Sequence, residues 1–390
     1  MQGLGETTAM LARLRRSMPG ASDAAPAGSG LIETTSFGDN PGALRMLSYA
    51  PARLVKGAPL VVVLHGCTQN GQAYARDAGW IAVADRLGFA VLAPEQRPAN
   101  NPNRCFNWFE PGDIHRGQGE AASIASMVAA ALALHRCDPG RVFVTGLSAG
   151  GAMSAVLLAA YPDLFAGGAI IAGLAYGVAR GVPEALQAMR QGRSRPVAAL
   201  AGLVEPRQAP LKLSIWHGDA DHVVNVANGA DLATQWTAAA GLAVTPPKVE
   251  RLAGRTKTVW EGGIDGAVVE FNIVHGLGHG VALATGGQDG LGHAAPYMLE
   301  TGISSTLEIA RFWGLDTLAV DEAAASSQVT SQGAQGAGRT SIAPGDADVP
   351  PTPVQSPGLA ARVLETVSGH VSPDVREVIS KALRAAGLLT

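Results

Sequence analysis

Short runs of valine, isoleucine and leucine that end at glycine most constrain the fold of this sequence. Four of them are APLVVVLHG, FAGGAIIAG, LKLSIWHG and VVEFNIVHG, at 58–66, 165–173, 211–218 and 268–276. Longer stretches with helical character separate them. A strand that is apolar along its whole length is buried on both faces, and alternation with helices favours parallel pairing. The predicted fold class is therefore α/β, a mostly parallel sheet with helices on both faces.

One predicted strand leads directly into a serine that has a glycine two positions before it and another two positions after it. The segment RVFVTGLSAGGAM (141–153) places Gly-Leu-Ser-Ala-Gly between a predicted strand and a predicted helix. The chain must turn so sharply there that the positions on either side of the serine need residues with very small side chains or none. Such a turn lifts Ser148 above the sheet edge as a nucleophile, and the next helix directs its N-terminus at the developing negative charge. The alternative is a packing turn with an incidental serine.

A serine nucleophile needs a base and an acid, which follow it along the chain in this architecture. The segment WHGDADHVV offers Asp219 and Asp221 after a strand. The spacing H-G-x-x-D-x-x-V selects Asp221 as the acid, and Asp219 is the alternative, better suited to ordering the turn.

The base is predicted in VVEFNIVHGLGHG, which offers His275 and His279, with His293 further on. His275 adjoins the strand, whereas His279 lies in a glycine-flanked loop that can reach back over the serine, so His279 is selected. The H-x-x-x-H spacing has no acidic or cysteine ligand nearby, so neither a metal site nor a cofactor is expected.

The oxyanion formed during acyl transfer needs two backbone donors. The amide of Ala149, directly after the serine, is predicted as one donor. The other is expected from LHGCTQNG (64–71), where the sequence leaves Cys67 and Thr68 as alternatives.

Changes in composition divide the chain. The segment 174–210 contains no strong strand pattern. It is either a plain helical insertion or a segment that shapes the substrate pocket. Residues after 316 are rich in Ala, Ser, Gly, Gln, Asp and Pro, which is typical of a flexible linker, before helical periodicity returns. We predict an N-terminal segment with a short amphipathic helix, a catalytic domain, a flexible linker and a helical tail, at 1–44, 45–316, 317–358 and 359–390.

Charge and hydropathy limit the partners. The formal net charge is −3, so binding to nucleic acid is not expected. No apolar run reaches 18 residues, so no membrane span is predicted. The N-terminus lacks the apolar region of a signal peptide, which favours a cytoplasmic location. The sequence does not indicate an oligomeric state.

Several motifs together resemble the polyhydroxybutyrate (PHB) depolymerase-type esterases, α/β-hydrolases related to feruloyl and acetylxylan esterases. They are VVLHGCTQN, NNPNRCFNWF, VFVTGLSAGGAM, FAGGAIIAG, WHGDAD and PYMLETGISSTLEIARFWGL, and they span roughly 45–315. The resemblance implies an α/β-hydrolase fold and a serine carboxylesterase that acts on small or polymeric hydroxyalkanoate-type esters through an acyl-enzyme. The family's catalytic positions match Ser148, Asp221 and His279. Alternatives are a feruloyl or acetylxylan esterase, and a non-catalytic binding module of the same fold.

The resemblance also implies a disulfide between Cys67 and Cys105, with two buried free thiols as the alternative. Cys137 is expected to be a lone buried thiol. A disulfide favours an oxidising compartment, so a secreted or periplasmic location is the alternative to the cytoplasmic one.

Substrate contacts are predicted beside the site. Trp108, in CFNWFEP, and Trp216, before the acid loop, could grip an apolar acyl or polymer segment, although aromatic residues there often only pack. Asn107 and Gln69 complete the predicted set.

Overall fold

The computed structural model describes residues 30–192, 194–263 and 266–316. Three predicted segments lie outside the described residues: the N-terminal amphipathic helix, the linker at 317–358 and the helical tail at 359–390.

Twelve strands and eight helices are named in the described ranges. The strands are β1 Ile32–Thr34, β2 Arg45–Tyr49, β3 Leu60–Leu64, β4 Ala90–Glu95, β5 Val142–Leu147, β6 Gly167–Ile171, β7 Lys212–Gly218, β8 Lys248–Leu252, β9 Arg255–Gly262, β10 Ala267–Val274, β11 Val281–Leu283 and β12 Met298–Glu300. The helices are α1 Gly71–Asp77, α2 Trp80–Leu87, α3 Gly119–His135, α4 Ala149–Ala160, α5 Val182–Arg190, α6 Val197–Ala201, α7 Ala227–Ala239 and α8 Ser305–Phe312.

Ten of the strands form one sheet in the order β1-β2-β4-β3-β5-β6-β7-β10-β9-β8. The six central strands, from β4 to β10 in that order, pair in parallel. The outer strands pair antiparallel at both edges. This arrangement confirms the predicted α/β class with a mostly parallel sheet. The parallel strands bring the loops after β5, β7 and β10 to one edge of the sheet, where function collects in such folds.

The two faces of the sheet have separate cores, and strand β3 contributes side chains to both. Leu60, Val62 and Leu64 pack into the core under α3, α4 and α7. Val61 and Val63 point the other way, into the core under α1, α2 and α8. Because side chains alternate across a strand, a strand covered by helices on both faces needs apolar residues at every position.

The folded part of the chain begins before the predicted boundary at residue 45. Strand β1 pairs antiparallel with β2, and the backbone N–H of Gly42 donates to Ser123 Oγ in α3 at 2.8 Å. The sequence offered no sign of β1 because its three residues, Ile32–Thr34, are too few and too exposed to carry a pattern.

Two further regions complete the fold. Helices α5 and α6 occupy the segment 174–210, as expected for the helical alternative. The hairpin of β8 and β9, which extends the sheet beyond β10, was not predicted. None of the helices in the described ranges is long and apolar enough to cross a membrane.

Candidate active site

A strained turn between β5 and α4 presents Ser148. The serine has a left-handed φ of 58°, and its N–H donates to the carbonyl oxygen of Ile171 at 2.9 Å. A Cβ on Gly150 would lie 2.2 Å from the carbonyl oxygen of Leu64, and one on Gly146 would lie 2.4 Å from Gly150. Both flanking positions therefore require glycine, and the predicted nucleophile turn has the strand-to-helix geometry that its motif needs.

The structure joins Asp221 and His279. Asp221 Oδ2 lies 2.7 Å from His279 Nδ1, and the carboxylate is completely buried. Its other oxygen accepts the N–H groups of Val223 and Val224 at 2.8 and 2.9 Å. Since Nδ1 faces a carboxylate, it carries the proton, which leaves Nε2 of the neutral imidazole free to accept one.

Asp221 stays ionised despite its burial. Burial raises the pKa of this carboxyl, but hydrogen bonds and charge interactions with His217 and His279 outweigh that effect, so the pKa lies well below its ordinary value. A charged carboxylate can hold an imidazole in one orientation and stabilise its protonated form.

Two of the residues that were not selected, Asp219 and His275, form a second pair on the surface. His275 Nδ1 lies 3.0 Å from Asp219 Oδ2, and the N–H of Gly276 donates to Asp219 Oδ1 at 2.7 Å. The hydrogen bonds of Asp219, first that with His275, lower its pKa. Both side chains are about half exposed, so this pair ties the acid loop to the base loop without reaching the serine.

Ser148 reaches the same edge of the sheet as the Asp221–His279 pair. Ser148 follows β5, while Asp221 and His279 follow β7 and β10, and all three strands are parallel. The structure shows no hydrogen bond between the side chains of Ser148 and His279. Serine–histidine contacts in ligand-free sites often tighten only when substrate binds.

The loop after β3 carries both residues that are predicted as alternatives for the second oxyanion donor. The N–H of Thr68, a residue with a left-handed φ of 66°, already donates to the carbonyl oxygen of Asn103 at 2.6 Å. This bond engages the Thr68 amide within the protein and favours the amide of Cys67 as the predicted second donor. The amide of Ala149 lies at the first position of α4, where helix N–H groups have no partner within the helix.

A disulfide bond joins Cys67 to Cys105, so the oxyanion loop is covalently tied to the segment before Asn107 and Trp108. Cys137 is a buried free thiol, and burial raises its pKa to about 11.

Gln69 braces the same loop. Its side-chain oxygen accepts the N–H of Gly66 at 2.8 Å, and its Nε2 donates to the carbonyl oxygen of Pro296 at 3.4 Å. Both ends of the amide are therefore engaged by the protein, which argues for a bracing role rather than the predicted substrate contact.

The predicted aromatic contacts lie deeper than the sequence suggested. Trp216 is only 2% exposed, its Nε1 donates to Ser214 Oγ at 2.7 Å, and the Arg255 guanidinium lies over its ring. It belongs to the core, and the prediction that it contacts substrate is corrected. Trp108 is 6% exposed and packs perpendicular to the ring of Phe109, so little of its surface is available to a substrate.

A buried polar cluster supports Asn107, which was predicted to contact substrate. Its N–H donates to Glu120 Oε2 at 2.8 Å, and Gln96 Nε2 donates to Glu120 Oε1 at 2.5 Å. Gln96 also donates to the carbonyl oxygen of Cys105 and, through its backbone, to His65 Nε2. Burial raises the pKa of Glu120 to about 8, and it lowers the pKa of His65. The side-chain oxygen of Asn107 accepts from a neighbouring asparagine amide, so Asn107 is held within the protein.

Sequence reasoning missed two residues at the site. Tyr297 lies edge-on to the His279 ring, with 5.9 Å between centroids, and has a left-handed φ of 65°. Strain of this kind in a non-glycine residue often marks a functional position. His217 lies 3.5 Å from Asp221 and is fully buried. The histidine in WHGDAD, at the end of a buried strand, was the available signal for it.

No cluster of three or more His, Cys, Asp or Glu side chains in the described ranges is placed to hold a metal ion.

A serine on a strained strand-to-helix turn, with a buried Asp–His pair at the same edge of a parallel sheet, defines an α/β-hydrolase of the ester hydrolase class. The chain matches the family described as "Esterase PHB depolymerase" over residues 45–259, which is more than half of its length. It belongs to that family and is a serine carboxylic ester hydrolase.

Individual relatives agree with this assignment. Poly(3-hydroxyalkanoate) depolymerase C of Paucimonas lemoignei is 41% identical over 291 residues, covering 73% of this chain and 70% of that protein. Feruloyl esterase B of Talaromyces funiculosus is 30% identical, and the match covers 64% of this chain and 72% of that protein. The structure of an acetyl xylan esterase from Aspergillus awamori superposes with a TM-score of 0.58 at 26% identity, covering 64% of this chain and 93% of that one.

Proposed function

We propose that this esterase hydrolyses short-chain hydroxyalkanoate-type esters, with Ser148 as nucleophile, His279 as general base and Asp221 as the acid that orients it. The observation that carries the proposal is the buried Asp221–His279 pair at the edge where the strained Ser148 turn emerges. The placement of Ser148, His279 and Asp221 at one edge of the sheet also argues against a non-catalytic binding module.

The proposed reaction begins when His279 Nε2 accepts the proton of Ser148 as the hydroxyl attacks the ester carbonyl carbon. The amides of Cys67 and Ala149 donate to the resulting oxyanion. His279 then returns the proton to the leaving alcohol, and an acyl-enzyme remains. Water, deprotonated by His279, then attacks the acyl carbon, the bond to Ser148 Oγ breaks, and His279 returns the proton to Ser148 as the acid is released. Through both steps Asp221 keeps Nδ1 protonated and stabilises the imidazolium.

The substrate class rests on the relatives. The hydroxyalkanoate depolymerase shares more residues with this chain than the feruloyl and acetylxylan esterases do, at 41% against 30% and 29%. We therefore place hydroxyalkanoate oligomers or polyester first and feruloyl or acetylxylan esters second. The Cys67–Cys105 disulfide supports action in an oxidising compartment rather than the cytoplasmic location expected from the sequence.

One side-by-side assay tests the proposal. Hydrolysis of p-nitrophenyl butyrate, hydroxybutyrate oligomers, polyhydroxybutyrate film and methyl ferulate is measured for the wild type and Ser148→Ala, with and without a serine-directed phosphonate. We expect release from the oligomers that the phosphonate and Ser148→Ala both abolish, while circular dichroism shows an intact fold. Ferulate release alone would support the second substrate class. Full activity in Ser148→Ala would refute the mechanism.

A further inference from the structure

His217 is a buried histidine beside Asp221 for which the proposed mechanism has no use. It is the second-to-last residue of β7, and its side chain is fully buried. Its Nε2 lies 2.8 Å from the carbonyl oxygen of Val224 and 3.5 Å from Asp221 Oδ2. A ring nitrogen that faces two acceptor oxygens carries the proton, so Nε2 is a donor.

The group that accepts from His217 belongs to the turn that holds the carboxylate. The N–H groups of Val223 and Val224 donate to Asp221 Oδ1. The carbonyl of the same Val224 receives the His217 hydrogen bond. His217 thus connects the turn to β7, which is paired on both sides by β6 and β10. A rigid strand in the sheet interior is a far more fixed support than the loop itself.

We propose that His217 is a positioning residue, which holds the Asp221–Val224 turn against β7 and so keeps the carboxylate aimed at His279 Nδ1. This inference rests on the proposed function, in which the Asp221–His279 bond sets the orientation of the base. Loss of the support would let the carboxylate shift, and small misplacements of catalytic groups slow the chemical step more than they weaken substrate binding.

The geometry of the ring provides a matched pair of variants. Nδ1 has no hydrogen-bond partner among the described residues. It packs against Gly229 of α7, and a Cβ added to Gly229 would lie 3.2 Å from Nδ1. All polar contacts of His217 therefore pass through Nε2. A glutamine side chain places its amide nitrogen near the position of Nε2, whereas an asparagine reaches only the position of Nδ1.

The experiment compares His217→Gln, His217→Asn and His217→Leu with the wild type on p-nitrophenyl butyrate. A serine-directed phosphonate titrates the functional serines, so kcat is expressed per correctly folded site. We expect kcat to fall about 10- to 100-fold for Asn and Leu with KM changed less than about 3-fold, and to stay within about 3-fold for Gln.

Two results would overturn the inference. One is equal kcat per titrated site in the Asn, Gln and wild-type enzymes, which would show that the donor position does not matter. The other is a Gln variant that folds but loses more than about 10-fold in kcat. If Asn and Leu fail to fold, a Gln variant with normal kcat supports the inference. Ser148→Ala is assayed in parallel, because activity in that variant would reject the proposed function itself, whatever His217 does.

Discussion

Asp219 and Asp221 stand two residues apart in one loop, but the structure gives them different surroundings. Asp221 is buried and bonded to His279, whereas Asp219 is half exposed and bonded to His275. We expect Asp221→Asn to lower kcat by about 10³- to 10⁴-fold, because an amide can stabilise the wrong tautomer of the histidine and cannot stabilise its protonated form. The measurement is kcat on p-nitrophenyl butyrate, expressed per active site as counted by titration with the serine-directed phosphonate.

Asp219→Asn is the matched control for that prediction. It makes the same chemical change in the same loop, where it affects only surface contacts, those with His275 and with the N–H of Gly276. We expect kcat within about 10-fold of the wild type, since surface ion pairs contribute at most about 1 kcal/mol. Equal losses in the two variants would contradict the assignment of Asp221.

Spacing rules selected Asp221 over Asp219, because the acid must lie far enough past the strand to turn towards the histidine, and the structure bonds Asp221 to His279. The same rules could not show that Asp219 would pair with His275, since that contact joins two loops 56 residues apart. The expectation that an aromatic residue before the acid loop contacts substrate was wrong for Trp216. Its alternation along β7 instead turns it into the core, where Ser214 accepts its indole N–H.

At the scale of single elements, the β5–α4 turn depends on glycines that leave room for the neighbouring strand. A Cβ at Gly150 would lie 2.2 Å from the carbonyl oxygen of Leu64, whereas one at Gly202 would meet nothing within 4 Å. We expect Gly150→Ala to abolish hydrolysis and to lower the free energy of unfolding by about 1–3 kcal/mol. Gly202→Ala should do neither. Urea denaturation and the butyrate assay check both, and an active Gly150→Ala enzyme would contradict the tight turn.

The loop that carries the Cys67 amide is a second such element, closed by a disulfide across 38 residues. We expect the double variant Cys67→Ala/Cys105→Ala to lose about 2–5 kcal/mol of stability. Its activity should also fall, because the oxyanion loop loses its anchor. Dithiothreitol should lower the melting temperature of the wild type and of Cys137→Ala by similar amounts, and leave the double variant unchanged. A dithiothreitol-insensitive wild type would argue against the disulfide.

Strands with a strong apolar pattern could be predicted from the sequence, and exposed strands could not. The apolar runs identified β3 and β6, where burial on both faces leaves only apolar residues and glycine along the strand. They also identified β7 and β10, although these strands bury the polar side chains of Ser214, Glu270 and Asn272 as well. Strand β8, with the sequence KVERL, is exposed along its whole length. Nothing in its burial selects an alternating or continuous apolar pattern, so its pairing with β9 left no mark on the sequence.

For the whole molecule, the parallel pairing of the central strands follows from apolar runs that alternate with helical stretches, whereas the buried polar groups could not be predicted in this way. Glu120 lies at the start of α3, almost fully buried, with donors from Gln96 and Asn107. No sequence rule predicts an acid in that position, because it depends on three segments that meet only in the folded chain. Its burial nevertheless ties the stability of the entire fold to pH.

Burial raises the pKa of Glu120 from 4.5 to about 8. Between these pH values the unfolded chain has released this proton and the folded chain retains it, so the free energy of unfolding falls as pH rises. The contribution is complete below pH 4.5 and is lost as pH passes through about 8. We expect the stability of the wild type relative to Glu120→Gln to decrease steadily in urea denaturation from pH 5 to pH 8, about the window that this shift defines. Other titrating groups, His65 among them, are common to both proteins and largely cancel in the difference. The exposed Glu205→Gln is the matched surface control, and a difference for Glu120→Gln that does not change with pH would contradict a raised pKa.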